Sequence, residues 1–405
     1  IGDINTIDAI ILSHAHTDHS ALIPYLFKMG YRGPIYMTEP TRDISALLAL
    51  DFIGVAYKQA ASPLYKAEDI KEMVRHSICL DYGMVYDITP DMRITFYNAG
   101  HVLGSAQVHI NIGNGLHNFV YGADTKYART RLLDPAVNYF PRVETLTIEA
   151  TYGSKDDILP PRKEAEDKFI EMVKYTVNRG GKVLLPELGL GHAQETLLRV
   201  EEAIRTGALP KVPVFIDGMI WDITAIHTAY PDFLSSSVRN QIFQDNNPFV
   251  SDIFKRVGSP IERKEVIESG PCIIIATSGM LVGGASVEYF RNLADNPNNL
   301  IVFGCYQALG STGRQVQEGI KEIFLSSDSG ERIQVKLEVQ TLSGLSAHSG
   351  RNELLQYISR MNPKPKKIIV NHGEVSKCLD LASTLYKQQK IETVVPRNLE
   401  TIRLK

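Results

Sequence analysis

The sequence has few of the features that mark secreted, membrane-spanning or disulfide-stabilised proteins. Its four cysteines, Cys79, Cys272, Cys305 and Cys378, are far apart and form no CxxC pair, which argues against a disulfide framework and a cysteine zinc site. No uncharged apolar run approaches the ~20 residues of a membrane helix, because Asp51 interrupts the best candidate. The start of the sequence shows no secretory signal. These absences predict a protein of the reducing cytoplasm that has no membrane segment.

An excess of charge of one sign is also lacking. The formal net charge is −3, so any affinity for nucleic acid has to come from a local patch. The apolar share of 44% and the charged share of 22% are typical of a globular chain, and they exclude a disordered protein, a collagen and a coiled coil. A length of 405 residues predicts two to three domains at roughly 150 residues each.

Two kinds of secondary-structure pattern follow each other along the chain. Residues 84–124 alternate between apolar and polar positions and contain a Gly-Asn-Gly hairpin signal, which predicts a β-meander. Beyond residue 156, short apolar runs alternate with helical periods, the pattern of a parallel sheet with helices. We also predict a helix over 41–57 and a last helix through Leu381.

The densest group of candidate ligands is the segment HAHTDH, which follows the apolar run 7–12. It places His14, His16, Asp18 and His19 within a few residues of one another. Because the chain turns at the end of a strand, these side chains can converge on one point, where imidazole suits zinc and the carboxylate suits a second cation. A solvated histidine-rich loop is the alternative. Burying these groups without partners would be costly, so the segment predicts a metal site.

Two further residues fit this site. His101 lies in a loop between two predicted strands, where Gly100 and Gly104 flank it, and Asp124 ends the apolar run NFVYGA. Alone, an aspartate at such a position is typical of a turn or helix cap. Together with the HAHTDH segment, Asp124 suits a carboxylate that bridges two metal ions.

Taken in order, these motifs resemble the ligands of the metallo-β-lactamase superfamily. Three later motifs resemble those of its β-CASP ribonuclease family, namely Glu149 in TIEATYG, His348 in SGLSAHSG and His372 in VNHGE. Between the first and second of them, GHAQE, TSGMLVGG and CYQALGSTGR resemble parts of the inserted β-CASP domain. Within the family, essentially the whole chain is similar to the archaeal homologues of the cleavage and polyadenylation specificity factor endonuclease.

The resemblance implies an α/β fold, in which an αββα metallo-β-lactamase sandwich carries an inserted parallel-sheet β-CASP domain. Residues 1–155 and 344–405 would form the sandwich, and 156–343 the insert. The family's first strands have no counterpart before His14. The resemblance therefore also implies that the chain is a fragment and that an N-terminal RNA-binding domain is missing from it.

The resemblance further implies two zinc ions and single-stranded RNA as the substrate. The expected ligands of the first ion are His14, His16 and His101, those of the second are Asp18, His19 and His372, and Asp124 bridges the two. The residues expected to be catalytic are Asp18, Glu149 and His348. A zinc-activated water would attack the phosphodiester, His348 would protonate the leaving oxygen, and Glu149 would hold His348 in the right tautomer.

The residues expected to contact RNA lie in the insert and are Gly191, His192, Ser278, Gly279 and Arg314. Arg314 is equally well explained as an exposed charge at a helix start.

Three positions depart from the family pattern. His192 replaces an arginine, Gly350 replaces an aspartate near His348, and Glu187 adds a carboxylate that would repel phosphate.

The resulting hypothesis is a zinc-dependent ribonuclease, an endonuclease with 5′-to-3′ exonuclease activity as well, that acts in RNA 3′-end processing, transcription termination or decay. The alternative is a catalytically silent scaffold subunit, which the changes at His192 and Gly350 keep open. The long segment between Glu149 and His348 counts against a small-molecule hydrolase, whereas the metal site alone does not exclude DNA as the substrate. The C-terminal ETIRL segment would pair across a homodimer, again by resemblance.

Overall fold

The computed structural model describes residues 3–58, 60–324 and 332–404, and it divides the chain into two compact units. The first unit comprises Ile1–Ile158 and His348–Lys405, and the second comprises Leu159–Ala347. Ile1 and Lys405, the outer limits of the predicted domains, lie outside the described residues. The domain boundaries expected after residues 155 and 343 remain a prediction.

The first unit begins with strands and helices in alternation and continues with a run of strands. In chain order these are β1 (Ile10–Ile11), α1 (Thr17–Ser20), α2 (Ile23–Lys28), β2 (Ile35–Met37), α3 (Glu39–Lys58), α4 (Ala67–Arg75), β3 (Ser77–Cys79), β4 (Val85–Thr89), β5 (Met92–Asn98), β6 (Ala106–Ile112), β7 (His117–Tyr121) and β8 (Thr145–Glu149).

The second unit alternates helices with short strands. Its elements are α5 (Arg162–Asn178), β9 (Val183–Pro186), α6 (His192–Arg205), β10 (Val214–Asp217), α7 (Ile220–Ala229), α8 (Ser236–Phe243), β11 (Phe254–Val257), α9 (Pro260–Glu268), β12 (Ile273–Ala276), α10 (Gly284–Leu293), β13 (Leu300–Phe303), α11 (Thr312–Gln317), β14 (Glu322–Phe324), β15 (Arg332–Gln334) and β16 (Glu338–Thr341). The chain then returns to the first unit with α12 (Arg351–Arg360), β17 (Lys367–Asn371), α13 (Val375–Gln389) and β18 (Glu392–Val394).

Two sheets lie back to back in the first unit. Among the described residues, the larger sheet has the strand order β18-β17-β8-β7-β6-β5-β4, and the smaller parallel sheet has the order β1-β2-β3. Apolar residues from both sheets, such as Tyr36, Phe96 and Val108, share one buried core. The strands β4 to β7 pair antiparallel, whereas β7, β8, β17 and β18 pair parallel.

Helices cover the outer face of each sheet. Ile23, Phe27 and Met73 of α2 and α4 pack on the smaller sheet, and Leu354, Ile358 and Leu381 of α12 and α13 pack on the larger sheet. The layers therefore follow the order αββα. This architecture confirms the expected sandwich, because each half-apolar sheet buries one face on the other sheet and the second face on helices.

The second unit is built on a parallel sheet with the order β11-β10-β12-β9-β13-β16 among its described residues. Its inner strands β9, β12 and β13 read as continuous apolar runs, as expected where helices cover both faces. Leu184, Ile274 and Ile301 are fully buried against Tyr289 and Phe290 of α10. The predicted α/β insert is thus confirmed.

Two helix predictions differ from the structure at their ends. The helix expected over 41–57 begins earlier, at Glu39, because Pro40 is tolerated in the first turn, where its missing N–H costs no hydrogen bond. The last helix passes beyond Leu381 to Gln389, since Leu385 continues its buried face, and it ends where Lys390 adopts a φ of 57°. In the part of the chain that is described, none of the helices combines the length and apolar character needed to cross a bilayer.

A buried carboxylate closes the turn before β8. Glu144 is 8% exposed. Its Oε2 accepts hydrogen bonds from the backbone N–H of Asn118 at 2.7 Å and from the amide of the same residue at 3.1 Å, and its Oε1 accepts from Arg142 at 2.5 Å. Burial disfavours ionisation, but these donors outweigh it and hold the pKa of Glu144 below its usual value.

We predict that Glu144→Gln lowers the melting temperature at pH 7 by about 2–4 °C, because replacing the charged acceptor costs about 1 kcal/mol. A carboxyl whose pKa is lowered by folding stabilises the fold above its unfolded pKa, and that stabilisation is lost as pH falls through the folded pKa. The difference between variant and wild type should therefore persist down to pH ~4.3 and shrink below it. Calorimetry across this range tests the prediction, with Glu392→Gln, an exposed carboxylate, as the control. A difference that grows on acidification would contradict it.

Candidate metal centre

The candidate ligands of the first unit all follow the ends of strands. His14, His16, Asp18 and His19 lie between β1 and the end of α1, while His101 lies in the loop between β5 and β6. Asp124 follows β7 and His372 directly follows β17. Strand ends of both sheets thus bring together residues that are far apart in the sequence.

The first cluster contains His14, His16, His101 and Asp124, whose ligand atoms all lie within 4.8 Å of one another. Oδ2 of Asp124 lies 3.6 Å from Nε2 of His14 and 3.7 Å from Nε2 of His101. Nε2 of His101 lies 3.0 Å from Nδ1 of His16. These are the three histidines and the bridging aspartate that the sequence assigned to a first ion.

The second cluster contains Asp18, His19 and His372, again within 4.8 Å of one another. Oδ2 of Asp18 lies 3.6 Å from Nε2 of His19 and 3.4 Å from Nε2 of His372. Asp124 reaches this cluster as well, with Oδ2 3.5 Å from His19 and Oδ1 3.3 Å from Nδ1 of His372. The carboxylate of Asp124 therefore contacts members of both clusters.

The backbone next to His101 packs closely against the segment that follows Asp124. Gly100 adopts a φ of +68°, and a Cβ there would lie 2.5 Å from the carbonyl oxygen of Lys126, so only glycine fits next to His101. The backbone N–H groups of His101 and Val102 donate to the Ser105 hydroxyl at 3.2 Å and 3.1 Å. The loop that carries His101 is fixed by its own hydrogen bonds.

Several buried polar atoms of the two clusters are not satisfied by hydrogen bonds within the described residues. Nε2 of His14, His16 and His19 and Oδ1 of Asp124 are buried and have no hydrogen-bond partner within the described ranges. Unpaired buried polar atoms are costly. A divalent ion would satisfy such atoms, and His and Asp form a donor set that suits zinc. The residues therefore fit the metal.

The protonation states also suit metal ligands. Burial lowers the pKa of His14 well below its usual value and lowers the pKa of His16. Burial works against ionisation of Asp124, but His19, whose Nε2 lies 3.5 Å from Oδ2 of Asp124, and the other neighbouring imidazoles hold the pKa of Asp124 well below its usual value. Neutral imidazoles and an ionised carboxylate are the forms that coordinate a cation.

His372 and Asp18 form a charged pair at the more exposed side of the site. The hydrogen bond with Asp18 raises the pKa of His372 to about 9. Burial works against it, but the same hydrogen bond lowers the pKa of Asp18 to about 2. Because a ligating imidazole must be neutral, zinc binding at this cluster has to displace a proton from His372.

A histidine–carboxylate pair adjoins both clusters. Nδ1 of His348 lies 2.8 Å from Oε2 of Glu149, which is completely buried at the end of β8. The His348 ring centroid lies 4.5 Å from that of His101. Burial lowers the pKa of His348, but the charge and hydrogen bond of Glu149 outweigh it and raise that pKa above its usual value.

The residues expected to contact RNA lie in the second unit, and one of them has an unexpected environment. His192 is 5% exposed. Its Nδ1 forms an ion pair with Glu187, and its Nε2 donates to the carbonyl of Gly304 at 2.9 Å. Both ring nitrogens of His192 are thus engaged and the ring is buried, and the expected contact of His192 with RNA stays a prediction.

Glu187 also differs from expectation. It is buried, and its second carboxylate oxygen accepts a hydrogen bond from Thr196 at 2.9 Å. A buried carboxylate that faces an imidazole and a hydroxyl does not present its charge to a phosphate, so the expected repulsion has no basis in this structure.

The other four second-unit residues are placed as follows. Gly191 precedes α6 with a φ of 81°, and its N–H donates to Gln194 at 2.8 Å. Ser278 and Gly279 follow β12, and the Ser278 hydroxyl accepts the N–H of Val282. Arg314 lies in α11 and pairs with Glu318 at 2.7 Å, as expected for a helix-surface charge. Nothing in these contacts assigns RNA to them.

One residue near the site escaped the sequence argument. Lys126 is 2% exposed and donates a hydrogen bond to the carbonyl of His348 at 2.9 Å. The signal in the sequence is a lysine two positions after the strand-end aspartate, which alone does not distinguish a buried side chain from an exposed one.

Three family models match the chain in succession. The model of a metallo-beta-lactamase superfamily domain matches residues 2–147, that of a Beta-Casp domain matches 193–316, and that of a Zn-dependent metallo-hydrolase RNA specificity domain matches 332–396. Together they cover most of the sequence. The zinc-dependent model and the two His/Asp clusters agree on zinc as the metal.

Curated relatives carry the name transcription termination factor FttA. The protein of Thermococcus kodakarensis is 52% identical over 408 residues, which cover 100% of this chain and 63% of that protein. The protein of Pyrococcus horikoshii is 52% identical over 98% of this chain and 62% of its own length. The protein of Methanothermobacter thermautotrophicus is 49% identical over 99% of this chain and 64% of its own length. The chain thus spans somewhat less than two thirds of these relatives.

Fold, site and sequence similarity agree. The αββα sandwich carries the candidate ligands at its strand ends, and a parallel-sheet unit interrupts it between Glu149 and His348. The family models follow the same order along the sequence. The chain belongs to the β-CASP family of the metallo-β-lactamase superfamily.

Proposed function

We propose that this protein is a zinc-dependent ribonuclease that hydrolyses phosphodiester bonds of single-stranded RNA, as an endonuclease and also from the 5′ end. The observation that carries the proposal is the position of Asp124. Its carboxylate contacts both histidine clusters, within 3.7 Å of His101 and 3.3 Å of His372, and the His348–Glu149 pair lies beside them. Two ligand sets that share a carboxylate are the arrangement of a two-metal hydrolase.

The proposal assigns two zinc ions to seven ligands. His14, His16 and His101 would hold one ion, Asp18, His19 and His372 the other, and Asp124 would touch both. When bound, the ions supply a Lewis acid for the phosphate and lower the pKa of a water toward neutrality.

Side chains of the protein orient the ligands and supply the proton for the leaving oxygen. Asp18 would hold an ion, and it orients His372, which lies 3.4 Å away. Because Nδ1 of His348 donates to Glu149, Nε2 is the atom from which His348 can give a proton to the leaving oxygen. The raised pKa of His348 keeps that proton in place near neutral pH.

RNA as the substrate is supported by similarity. Residues 332–396 match an RNA specificity domain, and the relatives are named transcription termination factors. We place this chain in transcription termination on that basis, with 3′-end processing and decay as related roles. In the second unit, the proposed RNA contacts are Gly191, His192, Ser278, Gly279 and Arg314. The division into 1–155, 156–343 and 344–405, pairing of two copies through the C-terminal segment and a cytoplasmic location belong to the same proposal.

Cleavage of labelled oligonucleotides tests the function. The purified chain is stripped of metal with a chelator, reloaded with zinc and incubated with a uniformly labelled single-stranded RNA or the matched DNA. We expect about two zinc ions per chain, internal cuts in the RNA, loss of cleavage on stripping and recovery on reloading. A zinc-loaded, folded chain that leaves RNA intact would favour the scaffold alternative, and faster cleavage of DNA would overturn the assignment of the substrate.

A further inference from the structure

A buried lysine connects the loop that carries Asp124 to the segment that carries His348. Lys126 is 2% exposed. Its ammonium donates to the His348 carbonyl at 2.9 Å and lies 2.9 Å from Oε2 of Glu353. A buried ammonium is costly without such acceptors, so its presence beside the site calls for a physical reason.

The peptide group that follows His348 is held at both of its polar atoms. Lys126 binds its carbonyl oxygen, and its N–H, which belongs to Ser349, donates to the carbonyl of Thr125 at 2.9 Å. The Ser349 hydroxyl donates to the same carbonyl at 2.9 Å, and it accepts the N–H of Tyr127 at 2.9 Å. Residues 125–127 thereby fix the orientation of this peptide plane.

These hydrogen bonds form a closed network around His348. The N–H of Thr125 donates to Oε1 of Glu149 at 2.8 Å, and Oε2 of Glu149 lies 2.8 Å from Nδ1 of His348. The ring is thus held from its side chain through Glu149 and from its main chain through Lys126. Both restraints lead back to the residues that directly follow Asp124.

Glu353 anchors the other side of the lysine. Its Oε2, which pairs with Lys126, also accepts the N–H of Gly350 at 3.3 Å, at the N-terminus of α12. The carboxylate therefore holds the ammonium and the start of the helix in one place. The ion pair couples the position of Lys126 to the helix that follows His348.

We propose that Lys126 is a positioning residue for catalysis, which fixes the His348 main chain so that Nε2 of His348 meets the leaving oxygen of the substrate. The inference rests on the proposed ribonuclease function. Lys126 belongs to neither metal cluster, so its effect should reach the reaction through His348 and not through zinc. Effects of this kind are large, because a displacement of about 1 Å can cost about 10²-fold in rate.

Lys126→Met tests the proposal, because it keeps most of the apolar stem and removes the donor. On single-stranded RNA we expect a kcat reduced roughly 10- to 100-fold, a KM within about twofold of wild type, and unchanged zinc content. Lys364→Met, which removes an exposed lysine, is the matched control and should leave kcat unchanged. Lys126→Met leaves the carboxylate of Glu353 without its lysine partner. If that variant is unstable, the double variant Lys126→Met/Glu353→Gln, which also removes this charge, replaces it in the test.

A double-mutant cycle with His348→Ala decides whether Lys126 acts through His348. If it does, Lys126→Met/His348→Ala is no slower than His348→Ala alone, because the two residues work as one unit. Multiplicative losses, loss of zinc in the folded Lys126→Met variant, or a kcat equal to wild type would each overturn the inference. Failure of the proposed function itself is distinguishable, since wild type would then not cleave RNA.

Discussion

Replacing Asp124 with asparagine is expected to abolish both stable zinc binding and RNA cleavage. The substitution keeps the shape of the side chain and removes the charge that lies within 3.7 Å of imidazoles from both clusters. Zinc content should fall well below two ions per chain, and kcat/KM should fall at least ~10³-fold, which corresponds to about 4 kcal/mol of lost transition-state stabilisation.

Thermal unfolding with and without zinc provides an independent measure. An ion that binds only the folded protein raises the melting temperature with its concentration, so wild type should show a zinc-dependent shift that Asp124→Asn lacks. Asp87→Asn is the control, since Asp87 is exposed on β4, where its carboxylate pairs with Arg93 and lies in neither cluster. Full activity with two ions bound in Asp124→Asn would contradict the two-metal proposal.

The sequence predicted a candidate metal centre because strand ends follow simple rules. HAHTDH follows a short apolar strand and Asp124 follows another, so their types and positions alone suggested convergence. The role of His372, which follows a third strand, came from the family resemblance. The pairing of Asn371 with Glu149 in adjacent parallel strands then explains why the last motif meets the earlier ones. That long-range register came from the family resemblance, because local pattern carries no information about which strands are neighbours.

Burial and pairing of single polar side chains could not be predicted in the same way. The sequence suggested that His192 and Glu187 face a phosphate, yet they contact each other in the interior of the second unit. Lys126 seemed to be an ordinary lysine, yet it is buried between two acceptors. Each outcome depends on partners that are distant in sequence, such as Gly304 for His192 and Glu353 for Lys126.

Four histidines belong neither to the two clusters nor to the His348–Glu149 and His192–Glu187 pairs. Their contacts, in contrast to those of His192 and Lys126, agree with what the sequence suggests. His76, His109 and His227 donate ring N–H groups to the carbonyls of Glu72, Arg142 and Ile223, and His117 contacts the Thr145 hydroxyl. None of the four has a second candidate ligand at a useful spacing in the sequence, which favours a structural role for each. Isolated histidines thus find local acceptors, whereas those in motifs converge on the metal centre.

Replacing His348 with alanine is expected to slow RNA cleavage by about 10²- to 10⁴-fold, the range for loss of a general acid, while both zinc ions stay bound. The reason is geometric. The His348 ring pairs with Glu149 at 2.8 Å. It groups with Glu149 and Asp124 but lies outside the two clusters that contain the seven assigned ligands, so its removal takes away a proton donor and no assigned ligand. Zinc analysis and single-turnover cleavage, with His117→Gln as the control, separate this loss from that of Asp124→Asn.

A substitution of Glu149, the partner of His348, gives a second test of the same role. Glu149→Gln can still accept a hydrogen bond from the ring, but it no longer carries the charge that keeps His348 protonated, so an intermediate loss of activity is expected. A substrate with a para-nitrophenolate leaving group needs no proton on departure, and both variants should approach wild type on it. Equal losses on this substrate and on RNA, or a loss of zinc in His348→Ala, would show that His348 supports the metal centre and does not act as the acid.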